Sequence, residues 1–477
     1  MVTTEWGTFP DELSPSEAMM WKGEDQARLR SSGILVLLLD RSPDWPRLTA
    51  SFERYSSLFP RLRQRIATTP FGLSPPRWVV DPDFDLSFHL RHVALPPPGT
   101  FDQLLELIAC DVSSGFDRLR PPWVGTVVDG LAGGQAALVL KQHHALFDGP
   151  GMVQILGRWL DRERESQVSA PVAAPPPQTL SDADLLRAAL NPLRLAAGAR
   201  RSFRRTGSAA TAFLRPRELA ARVAAVVGSM DQIAGPSVKN GSPLLAGRST
   251  SARLGTLDVP LADLKAAAKS AGGTLNDVLL AAVADALGRY HQHFGKRVES
   301  VNLAFPVSVR TDDDEPGGNR FSGAMICAHA DLADPASRIA RIHAQVLSAR
   351  DLGAAELVAA FTAVAYRLPS WLVAAVPLMD KVDAQVSNFP GLPYRHYLAG
   401  AEVLRSYGFE SHPGTPMMIV LMSHAGTCCV SVNVDAAAVT EMPVLMKDLR
   451  EAVNDVLALA DGATPARTPP SADARPS

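Results

Sequence analysis

Apolar runs alternate along the chain with segments of helical periodicity. The run GILVLLL at 33–39 and the run QAALVL at 135–140 predict buried strands, because a short unbroken apolar run is typical of a strand with both faces in the core. Apolar residues recur at helical spacing in 48–58, 101–111 and 150–160. Later in the chain the same reasoning predicts strands at 252–259, 300–309 and 321–329 and helices at 261–271, 274–294 and 335–350. This alternation predicts an α/β protein.

The two halves of the chain end in a similar way. The pattern predicts a strand, a loop and a helix over residues 135–160, and the same order again over residues 428–459. The second of these strands is also the second strand of a predicted hairpin at 417–434. The first loop contains a histidine pair, whereas the second reads NVDAAA. We therefore expect two similarly built domains, of which one carries the chemistry.

Local signals fix several boundaries. Ser14 with Glu17, and Thr274 with Asp277, have the spacing of residues that cap the start of a helix. The segment 85–93 predicts a strand, on which His89 and His92 would face opposite sides and serve structural roles.

Composition narrows the class of protein. A chain of 477 residues with 46% hydrophobic residues is expected to form two domains, and a net charge of −2 gives no general attraction to nucleic acid. The four cysteines lack CxxC spacing and read as reduced core residues of a cytoplasmic protein. Neither a signal peptide nor an apolar run long enough to cross a bilayer is recognisable.

An arginine-rich stretch separates the halves. After the Pro/Ala-rich segment SAPVAAPPP at 169–177, nine arginines lie between Arg187 and Arg222 against the single acid Glu218. The stretch is either a solvated linker or a segment that rests on an anionic lipid surface. The expected organisation is an N-terminal domain at 1–165, a linker at 166–247, a C-terminal domain at 248–460 and a disordered tail at 461–477.

The motif HHALFDG, at 143–149, carries the candidate chemistry. Imidazole titrates near neutrality, so His143 or His144 can take a proton from an alcohol and return it to a leaving group. Asp148 can cap the following helix, pair with an arginine, or do both, and Gly149 allows a close backbone turn. No third ligand lies at the spacing of a zinc site, so no metal is expected.

This motif resembles the HHxxxDG signature of CoA-dependent acyltransferases, chloramphenicol acetyltransferase and peptide-synthetase condensation domains. Further segments, in order, resemble the bacterial wax ester synthase/diacylglycerol acyltransferase family. They are LSPSEAMMW at 13–21, PPW at 121–123, Asn276-Asp277, PVSVR at 306–310 with GNR at 318–320, and SNFPG at 387–391. The likeness covers about residues 13–459, with departures at Pro122, Phe389 and Leu392.

The resemblance implies two chloramphenicol-acetyltransferase-like domains joined by a crossover, with a tunnel between them. It implies that His144 is the general base, that His143 supports its geometry, and that acyl-CoA is a co-substrate without any other cofactor. Asn276 is the candidate oxyanion donor, with helix capping as its alternative role, and Arg310 is the candidate partner of Asp148. The expected substrate-binding residues are Pro121, Trp123, Ser387 and Asn388.

The implied reaction transfers a fatty acyl group to the hydroxyl of diacylglycerol or of a long-chain alcohol. The acceptors are water-insoluble, so we expect a cytoplasmic protein that associates peripherally with membranes or lipid inclusions. Two alternatives stay open: an acyltransferase or condensation enzyme that acts on an amine or a polyketide hydroxyl, and a non-catalytic protein that binds lipid surfaces.

Overall fold

A computed structural model describes residues 2–4, 7–68, 75–166, 241–308, 321–351 and 381–460. The predicted linker, apart from its ends, lies outside these residues, as do Arg310, the arginine-rich stretch and the predicted tail. The first half of the described chain contains helices α1 to α5 and strands β1 to β8. The helices are Pro15–Gly23, Trp45–Leu58, Leu86–His89, Phe101–Val112 and Gly149–Trp159. The strands are Val2–Thr4, Gly7–Phe9, Ser32–Leu39, Gln64–Ala67, Arg77–Val80, Leu90–Ala94, Trp123–Asp129 and Ala136–His143.

The second half contains helices α6 to α9 and strands β9 to β16. The helices are Leu261–Ser270, Leu275–His293, Pro335–Asp351 and Met442–Leu457. The strands are Ala252–Pro260, Ser300–Ser308, Phe321–His329, Ala384–Phe389, Tyr397–Leu398, Ala401–Glu410, Met417–His424 and Thr427–Asp435.

The larger strands form two mixed six-stranded sheets. The first has the order β13-β14-β3-β8-β7-β6, and the second has the order β11-β10-β12-β15-β16-β9. In the first sheet, two strands from the second half of the chain, β13 and β14, complete the sheet of the first half, and β14 pairs antiparallel with β3. The same strand also packs against β15 and β16 of the second sheet.

Apolar side chains from both sheets hold the halves together. Phe389, Leu392, Met418 and Met422 join the core of the first half, whereas the opposite face of the second sheet packs against α6 to α9. Cys428 belongs to that helix-covered core, while the adjacent Cys429 packs against residues of the first sheet. The two adjacent cysteines therefore point to opposite faces of one strand.

The predicted α/β class and both capping boxes are confirmed. Ser14 accepts a hydrogen bond from the Glu17 amide, and Thr274 accepts one from the Asp277 amide. The strand predicted at 85–93 is wrong in its first part, because Asp85 caps a short helix over Leu86–His89 and only Leu90–Ala94 is a strand. His89 and His92 are structural as predicted: His89 Nδ1 lies 2.7 Å from the Trp123 carbonyl, and His92 pairs with Asp129.

Candidate active site

The histidine motif spans the junction of β8 and α5. His143 is the last residue of β8 and pairs with Ser32 of β3, so the strand fixes its position. The His144 amide donates to the Ser31 carbonyl at 2.9 Å, and the Leu146 amide donates to the His143 carbonyl at 2.9 Å. The first bond ties the motif to the chain just before β3, and the second closes a tight turn between the strand and the helix.

His143 is fully enclosed. Its Nδ1 accepts a hydrogen bond from the Ala145 amide at 3.0 Å, and Trp21 and Phe116 meet its ring edge-on at 5.1 and 5.8 Å between centroids. Burial lowers the pKa of His143 to about 3, and the neighbouring His144 adds to that shift. His143 is therefore neutral near pH 7, which suits a residue that fixes the turn.

A group of charged side chains lies close to His143. Glu24, just after α1, has Oε1 3.5 Å from His143 Nε2, and burial raises the pKa of the Glu24 carboxyl. Burial lowers the pKa of Lys141 to about 8, and the Lys141 Nζ donates to the Ser114 carbonyl at 2.8 Å. The positive charges of Arg30 and Lys141 lower the pKa of the Glu24 carboxyl and so oppose the effect of burial. The capped helix α1 thus places Trp21 and Glu24 against the motif.

His144 has a different environment, because its side chain is partly exposed. Its side chain is 16% exposed, and its Nε2 lies 3.8 Å from Oε2 of Glu410, whose side chain is 18% exposed. Glu410 lies opposite Gly33 in the β14–β3 register. A Cβ on Gly33 would lie 3.9 Å from His144 Nε2, so this face of the imidazole is not crowded by β3.

Asp148 and Gly149 start helix α5. The Asp148 Oδ1 accepts a hydrogen bond from the Gly151 amide at 2.8 Å, which confirms the predicted capping role. Gly149 adopts helical geometry, so an unusual backbone angle does not explain the glycine. Instead, a Cβ at this position would lie 3.0 Å from Cε1 of Phe389. The SNFPG segment of the second half therefore packs directly on the histidine motif.

The remaining candidate residues are spread over both halves. Trp123 is in the core, where its indole donates to the Leu62 carbonyl at 2.8 Å and stacks on His89. It also lines, with Pro121 and Lys141, a cavity of about 120 Å³ whose lining includes none of the motif residues. Ser387 is buried in β12 and pairs with Val420, while Asn388 is half-buried and pairs with Leu421.

Asn276 lies in the first turn of α7, a helix that packs against α6, α8 and α9. Its neighbour Asp277 completes the capping box with Thr274, because the buried Asp277 carboxylate accepts a hydrogen bond from the Thr274 amide. The same carboxylate pairs with His343 at 2.7 Å. Arg310 lies outside the described residues, so its pairing with Asp148 stays a prediction.

Two acids beside the histidines have no clear signal in the sequence. Glu24 follows the predicted first helix, and Glu410 ends a strand that the sequence pattern does not predict. Among the described residues, no group of three or more His, Cys, Asp or Glu side chains could hold a metal ion.

Comparisons with solved structures define the class. The fold matches the wax ester synthase/diacylglycerol acyltransferase from Marinobacter aquaeolei VT8 with a TM-score of 0.65, at 20% identity, over 95% of this chain and 100% of that chain. It also matches the first condensation domain of the calcium-dependent antibiotic synthetase, with a TM-score of 0.61, at 17% identity, over 95% and 96% of the two chains. The chain thus shares its fold with this acyltransferase and with condensation domains.

Sequence comparisons identify the family. The wax ester synthase/diacylglycerol acyltransferase catalytic domain matches residues 13–279, and the C-terminal domain of that family matches residues 317–456. The chain belongs to the wax ester synthase/diacylglycerol acyltransferase family, which confirms the resemblance and makes it an O-acyltransferase. A putative diacylglycerol O-acyltransferase of Mycobacterium tuberculosis (strain ATCC 25618 / H37Rv) is 36% identical over 97% of this chain and 95% of its own length. A second one from that strain is 31% identical over 90% and 93%.

Proposed function

We propose that this chain transfers a fatty acyl group from acyl-CoA to the hydroxyl of diacylglycerol or of a long-chain alcohol, with His144 as general base. The observation that carries the proposal is the contrast within the histidine pair. His143 is enclosed and neutral, whereas the His144 side chain is partly exposed beside Glu410. His144 is therefore the imidazole of the pair that a substrate can reach from solvent.

In the proposed reaction, His144 takes the proton from the acceptor hydroxyl as the oxygen attacks the thioester carbonyl. A C–O bond forms, and the tetrahedral oxyanion collapses with cleavage of the C–S bond. His144 then returns the proton to the CoA thiolate. Asn276 is our candidate donor to the oxyanion, because Asp277 rather than Asn276 makes the capping contacts.

Direct assay separates this function from its alternatives. Purified protein is incubated with palmitoyl-CoA and dioleoylglycerol, hexadecanol or hexadecylamine, and the products are resolved by chromatography. Triacylglycerol or wax ester formation supports the proposal, and the ratio of the two gives the preferred acceptor. Amide formation with no ester product would support the condensation-type alternative. Absence of all three products would favour a non-catalytic lipid-surface protein.

The His144→Ala variant tests the mechanism. We expect ester formation to fall by ~10²–10⁴-fold, the usual contribution of a general base. The melting temperature should not fall, because the His144 side chain is partly exposed and the turn is held by backbone bonds. Near-normal turnover by this variant would remove His144 from the reaction.

The substrate-binding role of the SNFPG segment also belongs to this proposal. Ser387 and Asn388 immediately precede Phe389, whose ring packs on Gly149 of the motif. Pro121 and Trp123 line the cavity that also includes Lys141, two residues before the motif. Substitution of Asn388 by Ala is expected to raise KM for the acceptor more than it lowers kcat, and an unchanged KM would contradict the binding role.

We further propose that the chain meets its water-insoluble acceptors at anionic membrane or lipid-inclusion surfaces through the arginines between Arg187 and Arg222. The part of the chain that the structure describes contains no helix long and apolar enough to span a membrane. Each arginine near an anionic surface contributes ~1 kcal/mol, and salt weakens that attraction.

Liposome co-sedimentation tests the surface contact. Wild type is compared with a variant in which Arg200, Arg201, Arg204 and Arg205 are changed to Gln, on vesicles with and without anionic lipid. Stronger binding of wild type to anionic vesicles, lost at high salt, supports the proposal. Equal binding of both proteins, or binding indifferent to lipid charge, would identify the stretch as a solvated linker.

A further inference from the structure

The carboxylate of Glu410 lies beside the proposed base although it comes from the other half of the chain. Glu410 is the last residue of β14, and its main chain is held on two sides. It lies opposite Gly33 in the β14–β3 ladder, and its carbonyl accepts a hydrogen bond from the Asn433 side-chain amide at 2.8 Å. The position of the carboxylate therefore follows from the completed first sheet.

The Glu410 carboxylate and the His144 imidazole lie close together and are both largely buried. The Glu410 Oε2 lies 3.8 Å from Nε2 of His144, and both side chains are more than four-fifths buried. A carboxylate at the end of a strand ordinarily extends into solvent, where it gains little from an ion pair. Here burial reduces solvent screening, so a positive charge on the imidazole is felt more strongly by the carboxylate than it would be at the surface.

We propose that Glu410 is a positioning residue that orients the His144 ring and stabilises the imidazolium formed during acyl transfer. The inference rests on the proposed role of His144 as general base. When the acceptor hydroxyl gives its proton to His144, the ring gains a positive charge 3.8 Å from the carboxylate. The charge is shared by the whole ring, so the carboxylate acts on whichever nitrogen takes the proton. When the proton passes to the leaving CoA thiolate, the charge is removed again.

The matched test uses Glu410→Gln and Glu410→Asp, with Glu402→Gln as control. Glu402 lies on the same strand with a side chain 20% exposed, but it pairs with Arg164 away from the histidines. Steady-state kinetics are measured with palmitoyl-CoA and two acceptors of equal length, 1-hexadecanol and 1-hexadecanethiol. A thiol ionises far more readily than an alcohol and depends less on a base.

The expected result is a selective loss of alcohol turnover. Removal of the orienting carboxylate from a Ser-His-Asp triad lowers kcat ~10⁴-fold, and for this looser, partly exposed pair we expect about 10- to 100-fold. KM for both substrates should stay within about twofold, because binding groups are untouched. The loss with the thiol should be much smaller, Glu410→Asp should recover part of the alcohol activity, and Glu402→Gln should keep wild-type kcat.

Other results would overturn the inference. Glu410→Gln with wild-type kcat on hexadecanol, while His144→Ala is inactive, would remove Glu410 and leave the proposed function intact. Equal losses with alcohol and thiol, together with a lower melting temperature, would identify Glu410 as a structural residue only. If His144→Ala itself retains alcohol turnover, the proposed mechanism fails first, and the inference fails with it.

Discussion

The contact between Gly149 and Phe389 gives a quantitative prediction about how the second half of the chain supports the histidine motif. A Cβ at Gly149 would meet three ring atoms of Phe389 at 3.0, 3.2 and 3.2 Å. Carbon atoms in good contact lie ~3.5–4.0 Å apart, so the ring or the start of α5 must retreat by roughly half an ångström. Overpacking of this kind costs ~1–3 kcal/mol. We therefore expect Gly149→Ala to lower both the free energy of unfolding and acyl-transfer activity.

The companion variant Phe389→Val removes the ring atoms that make this contact. In that background Gly149→Ala should be close to neutral, because the ring atoms that its Cβ would meet are absent and the first position of a helix accepts alanine. The two substitutions should therefore couple by at least ~1 kcal/mol in a double-mutant cycle. Urea unfolding followed by tryptophan fluorescence gives the four stabilities, and the palmitoyl-CoA assay gives the four activities.

Gly157→Ala is the control in the same helix. Its Cβ would meet a single atom, Cδ2 of Leu392, at 3.3 Å, at the flexible end of a side chain. We expect Gly157→Ala to leave stability unchanged or to raise it by up to ~1 kcal/mol, because alanine is favoured over glycine inside a helix. Strict additivity of Gly149→Ala and Phe389→Val, or wild-type stability of Gly149→Ala alone, would refute the reasoning.

Three further predictions concern groups around the motif. Asp148→Ala should lose activity together with ~1 kcal/mol of stability, because the variant lacks the helix cap. A fully stable but inactive variant would place Asp148 in the chemistry. A crystal structure with the Arg310 guanidinium far from Asp148 would refute the predicted pairing of these two residues. Wild type should lose stability as pH falls from 6.5 towards 3, because the unfolded chain protonates His143 and the folded chain, with its pKa of about 3, does not. This slope should be shallower in His143→Asn, and His143→Ala should also turn over more slowly. Because burial lowers the pKa of Lys141 to about 8, wild type should gain stability relative to Lys141→Met as pH rises from about 8 to 10.5, measured by urea unfolding across that range.

The elements that the sequence predicts correctly are those with local signals. The capping boxes at Ser14 and Thr274 and the apolar run that ends in β8 each depend on residues within a few positions of one another. The strand β14 has no such signal, because a bulge between Val403 and Arg405 interrupts the alternation of buried and exposed residues. The short helix at Leu86–His89 is likewise too brief to show a helical period.

The same distinction applies to the site. The histidines, Asp148 and its capping role could be predicted because the motif is contiguous between a strand and a helix. Glu24 and Glu410 could not, since they approach the motif only through the packing of α1 and the pairing of β14 with β3. Phe389 could be noted as a departure from the family pattern, but its contact with Gly149 depends on how the two halves meet.

The shared strand β14 also restricts how substrates can enter. It is hydrogen-bonded to β3 along its length and packs against β15 and β16, so it belongs mechanically to both halves. A hinge that swung the halves apart would have to break this ladder or shear the apolar contacts around Phe389. Rigid-body opening of the two halves about a hinge is therefore an unfavourable way to admit a bulky lipid. Entry through side-chain and loop rearrangements at the edge of the contact between the halves would leave the β14–β3 pairing and the apolar packing intact.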